Sequence, residues 1–271
     1  MCIVAIAWQL FDELPLVLFS NRDEFLQRPT EGLHQWPDLP IYAGRDSQSG
    51  GTWLGIHQEE QKGVYQKNGR WAAILNFRDG VQASSDERSR GKLVTEFLTS
   101  NLSPMEFARD INLQDYAGFN LIIGDAAQAV IVNNRGHAPT PLYAGLHVIS
   151  NGQPEDSWFK TERLRGRLRQ EVLPLIAENS LPEYWQQAAF DVLSDHTQAS
   201  ADQLPDTGMA TEIEQTLSSV YIEPVVFGDG AKDVPTYGTR TQSILTLRKD
   251  SHKDSNIITD IISRECDYPS T

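Results

Sequence analysis

The sequence predicts an α+β fold, a four-layer αββα sandwich with two sheets face to face and helices outside, and three observations predict it. The first two strand-like segments, CIVAIAWQL (2–10) and LPLVLFSNRD (14–23), open with consecutive apolar residues and so read as strands covered on both faces. Later strands arrive in hairpins rather than singly between helices, which disfavours a doubly wound α/β fold. Helical segments fall in two blocks set between groups of strands. A strand buried on both faces needs a sheet on one side and helices on the other, and the sandwich supplies both.

FDELP (11–15) turns the chain between the first two strands, and the Pro-rich RPTEGLHQWPDLP (28–40) reads as a loop. IYAGRD and GGTWLGIHQ follow as strands. A hairpin turn at Asn68-Gly69 precedes the return strand WAAILNF. Residues 89–101 carry Leu93, Val94, Phe97 and Leu98 on one helical face. Ser103, with Pro104 next and Glu106 three on, forms a capping box that starts a second helix. FNLIIGD, AVIVNN and LHVISN return to strand. Residues 157–194 form a long helical block, broken by Pro174 and Pro182. YGTRTQSILTLRK is an alternating strand and NIITDIIS the last. With no repeat or low-complexity tract, 1–271 reads as a single domain.

Composition narrows the partners. Lys plus Arg number 23 against 37 Asp plus Glu, a net charge of −14, which argues against a nucleic-acid backbone or an anionic lipid surface. No apolar run reaches the length of a membrane span, and no basic n-region with an apolar h-region opens the chain, so a cytoplasmic location is expected. Cys2 and Cys266 make neither a disulfide framework nor a metal spacing. The six histidines share no spacing, and no haem-attachment motif occurs, so no metal site and no required cofactor are expected.

One constellation carries chemistry. Met1 before a small residue is commonly trimmed, which would make Cys2 a terminal residue. Such a cysteine joins nucleophile and base, since its α-amine titrates at about 7.7–8.0. The mechanism also needs a carboxylate, a cation and amide donors, and Asp23, Arg22 and Asn21 are of those types one strand away. The charged run Asn21–Glu24 also reads as a solvated turn. Alternation puts Asn21 and Asp23 on one face and Arg22 and Glu24 on the other, so the four cannot all face Cys2 unless the strand ends or bulges there.

MCIVAIAW, LFSNRDEF, RP, GRD, GGTWLG, ILNFR, SRG and YGTR, in this order, resemble the NRDE family, which includes the Transport and Golgi Organization 2 proteins. The resemblance is densest over 1–91 and weaker over 157–223. It implies the architecture of the N-terminal nucleophile hydrolases and a role in intracellular haem trafficking, or in handling acyl-lipid species. Its expected partners are a small amphiphile as cargo, with haem-donating or haem-accepting proteins. By similarity to amidases of the bile-salt-hydrolase type, Cys2 would be the nucleophile and Arg22 and Asp23 its neighbours. Asn76 and Asn151 would be the positioning amides, and Arg240 the distant cation. Those amidases separate their Arg and Asp by two residues, so Glu24 and Asp46 remain alternatives to Asp23. Arg45, Asp46, Gly51, Thr52 and Trp53 are expected on the pocket rim, with Asn21, Arg22, Asp23 and Glu24 forming a wall. Two functions follow as expectations: a carrier of haem or a similar amphiphile, or a cysteine amidase acting on a linear acyl amide.

Overall fold

The computed structural model describes residues 2–61, 64–66, 69–81, 84, 86–227, 235–249, 257–266 and 268. The chain runs through β1 (Cys2–Trp8), β2 (Leu16–Phe25), β3 (Thr30–Gln35), β4 (Ile41–Asp46), β5 (Leu54–His57), β6 (Glu59–Gln61), β7 (Val64–Gln66) and β8 (Trp71–Asn76). Helices α1 (Gly91–Thr99) and α2 (Pro104–Asp110) come next, then β9 (Phe119–Gly124), β10 (Ala129–Asn133), β11 (Thr140–Pro141) and β12 (Gly145–Ile149). The second helical block holds α3 (Phe159–Arg167), α4 (Leu173–Ala177), α5 (Pro182–Leu193) and α6 (Thr211–Thr216). Strands β13 (Val225–Val226), β14 (Thr236–Lys249) and β15 (Ile257–Glu265) end the fold.

The fold is mixed α+β with two antiparallel sheets. One has the order β12-β1-β2-β14-β13, with β15 on β14; the other runs β11-β10-β9-β8-β5-β4-β3. Three apolar cores account for the layering. Between the sheets, Ile6, Trp8 and Leu18 of the first meet Ile56, Trp71 and Ile122 of the second. Outside the first sheet, Ala5 and Phe19 pack on Leu164, Leu168 and Phe190 of the helices. Outside the second, Ala72 and Ile123 pack on Val94 and Phe97 of α1. Successive residues of β1 therefore enter different cores, and both need to be apolar.

Local signals place several elements. Leu93, Val94, Phe97 and Leu98 are the buried face of α1, and Ser103 and Glu106 exchange both capping-box bonds at the start of α2. Two readings need correction. The Pro-rich stretch is not all loop: β3 forms within it, as an edge strand on β4, in the run between Pro29 and Pro37 that holds no proline. Pro174 does not break its helix. A π-helical turn, Leu168–Val172, precedes it, and the Leu173 N–H reaches back to the Leu168 carbonyl, widening the coil where the proline ring would otherwise clash. The true break lies before Pro182, where Asn179 adopts φ 55°. Asn68 of the expected hairpin turn lies outside the described residues; β8 does return onto β5, with the β6–β7 ribbon inserted between them.

Candidate functional site

A cleft of about 490 Å³ opens at one end of the two sheets and reaches Cys2. The β1–β2 register sets its floor, because Cys2 lies directly opposite Arg22. Asp23 and Glu24 follow on the same strand. The facing sheet contributes Asp46, Thr52, Trp53 and Asn76, and the segment before α1 contributes Ser89 and Arg90. Gly51 lets those two walls meet: a Cβ there would lie 2.6 Å from the Gly91 carbonyl carbon.

The bulge lies on the neighbouring strand, and β2 itself runs unbroken to Phe25. β14 pairs Thr239 with Asp23 but Thr241 with Arg22, leaving Arg240 as the extra residue. A bulge sharpens local twist and re-aims side chains, and Arg22, Asp23 and Glu24 all line the cleft with Cys2. The run is thus no solvated turn: Asn21, Arg22 and Asp23 are at most 4% exposed.

The buried charges on the cleft wall are anchored by specific neighbours. The Arg22 guanidinium lies 4.2 Å over the Trp53 ring and 3.8 Å from both Glu24 and Asp46. Thr239 donates its hydroxyl to Asp23 at 2.7 Å. Burial raises the Asp23 carboxyl to about 6, against the pull of Lys160, Thr239 and Arg22. The Cys2 thiol is also pushed up, first by burial and further by the Asp23 charge, so at neutral pH it rests protonated. Burial works against the Asp46 charge as well, yet Arg28 at 2.6 Å and the Ser49 N–H hold that carboxyl below its usual range.

Four expected residues lie off the cleft. Asn21 points the other way, donating to the Leu193 and Val220 carbonyls at 2.8 Å each, because strand alternation turns it towards the helices. Arg45 grips Asp38 at 2.9 Å and stacks 4.1 Å over Trp36 on the outer face. Arg240 is spent on the Arg28 and Phe25 carbonyls and the Thr30 hydroxyl. Asn151 sits behind the wall, fully buried, and donates to the Asn76 carbonyl at 2.8 Å.

Sequence reasoning missed Arg28, Arg90, Thr239 and Lys160. Three of them stand in motifs already singled out, RP, SRG and YGTR, and were passed over because no role attached to them. Lys160 carries no such signal; it is one of many basic residues in a helical block. Arg90 donates to the Gly118 carbonyl at 3.0 Å and makes no ion pair among the described residues, although burial already disfavours its charge. No group of His, Cys, Asp and Glu able to hold a metal ion occurs among the described residues. No helix among them is long and apolar enough to cross a membrane.

Known proteins share this chain along most of its length. The family model described as Transport and Golgi organisation 2 matches residues 1–257. A human Transport and Golgi organization protein 2 homolog is 31% identical over 259 residues, covering 88% of this chain and 83% of its own. The mouse homolog is 29% and the bovine homolog 30% identical, each over 251 residues with the same coverage. With the cleft built from the segments that carry the NRDE resemblance, and with this match, the chain belongs to the Transport and Golgi organisation 2 family.

Proposed function

We propose that the cleft binds a small anionic amphiphile, haem or an acyl species, and carries it without breaking a bond. The observation that supports this reading is Arg90. A partly buried guanidinium on the cleft wall, near Glu24 and Glu87 but in no ion pair among the described residues, is placed to take a direct anionic partner. A propionate or other carboxylate fills that role through a charge-assisted hydrogen bond. Trp53, Phe25, Ile74 and Ala117 supply apolar surface beside it. Cys2 offers a soft donor to haem iron, and a single such ligand suits cargo that must be released. The human, mouse and bovine relatives are named for transport and Golgi organization.

Haem titration followed by absorbance, with an acceptor apoprotein added afterwards, tests the carrier. Saturable binding followed by transfer is expected, and Arg90→Gln should weaken it by about tenfold or more. Neither binding nor transfer, for haem and for a long-chain carboxylate alike, would sink the reading.

The second reading is a cysteine amidase on a fold like that of the N-terminal nucleophile hydrolases. What favours it is the meeting of Cys2, Arg22 and Asp23 with Asn76, and the helix–sheet–sheet–helix layering. Turnover of an acyl-amide panel that disappears in Cys2→Ala would establish it over the carrier.

A further inference from the structure

Lys160 is an unusual residue for its place. It is the second residue of α3 and only 1% exposed, behind the wall that holds Cys2 and Asp23. Its Nζ donates to Asn151 Oδ1 at 3.3 Å and makes no ion pair among the described residues. Lysine is almost never buried without a carboxylate partner. The buried charges nearby explain what it faces. Arg78, in the segment after β8, pairs with Glu214 of α6 at 2.9 Å, so those two charges offset each other. Lys160 is left facing Asp23 on β2 and Cys2 on β1, with Arg78 as a like charge beside it. Asn151, which the amine holds, braces the Asn76 carbonyl at the cleft, and Ser150 beside it donates its hydroxyl proton to Asn151 Oδ1 or to the Cys2 carbonyl, each at 3.1 Å.

We propose that Lys160 is a second buried countercharge of the Cys2 site, behind Arg22, a positioning residue that acts on Asp23 and Cys2 through space and on Asn76 through Asn151. The charge it supplies is adjustable. Burial, reinforced by Arg78, lowers its amine to about 7, while Asp23, Cys2 and Glu214 pull the other way. Negative charge arriving at Cys2, as a thiolate or as the anionic group of a ligand, therefore draws a proton onto Lys160 near neutral pH. In thiol ionisation the S–H bond breaks and an N–H bond forms, so the buried site gains no net charge. Binding of an anion takes up a proton from solvent instead.

The inference rests on reading the cleft around Cys2 as the site, but its test needs no ligand. Alkylation of Cys2 by iodoacetamide is followed by intact mass against pH, in a Cys266→Ser background. Lys160→Met, with no charge, should move the rate profile to higher pH and slow alkylation about threefold or more at pH 7, the difference narrowing as pH rises and the wild-type amine loses its own proton. Lys160→Arg, with a fixed charge, should move it to lower pH. Lys160→Gln keeps a donor for Asn151 but no charge; it should follow Met, and it carries the test should the Met variant fail to fold. A Gln profile that coincides with wild type would overturn the countercharge and leave only a brace for Asn151. Since haem titration tests ligand binding separately, failure of one leaves the other standing.

Discussion

β2 is one strand with two halves that are nearly equally buried and chemically opposite. Leu16–Phe19 and Ser20–Asp23 are all closed to solvent. The first half is held by contact: Leu16 and Leu18 fill the space between the sheets, and Val17 and Phe19 pack under the helices. The second half is held by directed bonds from distant segments: Thr239 to Asp23, Asn21 to the Leu193 and Val220 carbonyls, Trp53 under Arg22. The difference teaches that burial by itself is no guide to role. Apolar burial stabilises wherever it packs, whereas buried charge is tolerable only where the surrounding chain is arranged to receive it. That arrangement converges on the cleft at Cys2.

Substitutions in the two halves should fail differently. Phe19→Ala leaves a cavity under the helices and should cost about 3–5 kcal/mol in chemical denaturation, with ligand affinity unchanged while the protein stays folded. An equal loss of affinity under native conditions would break the division between the halves. Asp23→Asn sharpens it through pH. The folded carboxyl titrates at about 6 and the unfolded one at 3.8, so between those values the folded state holds a proton that the unfolded state has released. Stability thus falls as pH rises from 3.8 to about 6 and is flat above; the span of about 2 units is worth about 3 kcal/mol. The Asn variant should lack this fall. Equal slopes for both proteins would mean that Asp23 is not buried as described.

Asn21→Leu keeps the size of the side chain but strips two buried carbonyls of their donor, at about 1–3 kcal/mol. Because Asn21 faces the helices, ligand affinity should hold; a selective loss of binding would put it back on the cleft wall. Arg45→Ala should do least. Its pair with Asp38 is on the outer face and worth under about 1 kcal/mol, and binding should not change.

Sequence pattern made the apolar half of β2, the inner face of α1, the capping box at Ser103 and the strand at β14 legible, because each depends on residues near one another in the chain. The polar half was legible only as chemistry out of place. Where Asn21 points depends on carbonyls 172 and 199 positions away, and no local spacing encodes them. Arg240 read as a cation of the site, but as the extra residue of the bulge it is turned onto the Arg28 carbonyl. The π-helical turn before Pro174 hid behind a rule that prolines end helices. Lys160 was invisible for another reason: a lysine in a helical block reads as solvated until tertiary packing covers it.

The central claim is that Cys2 and the polar end of β2 wall a cleft that a ligand fills. Protection of Cys2 from iodoacetamide by haem, mapped by peptide mass against Cys266 as internal reference, tests it most directly. The account predicts saturable protection at Cys2, in step with haem absorbance, and none at Cys266. Haem bound at saturation with Cys2 alkylated at its unprotected rate would contradict it, since the ligand would then lie elsewhere.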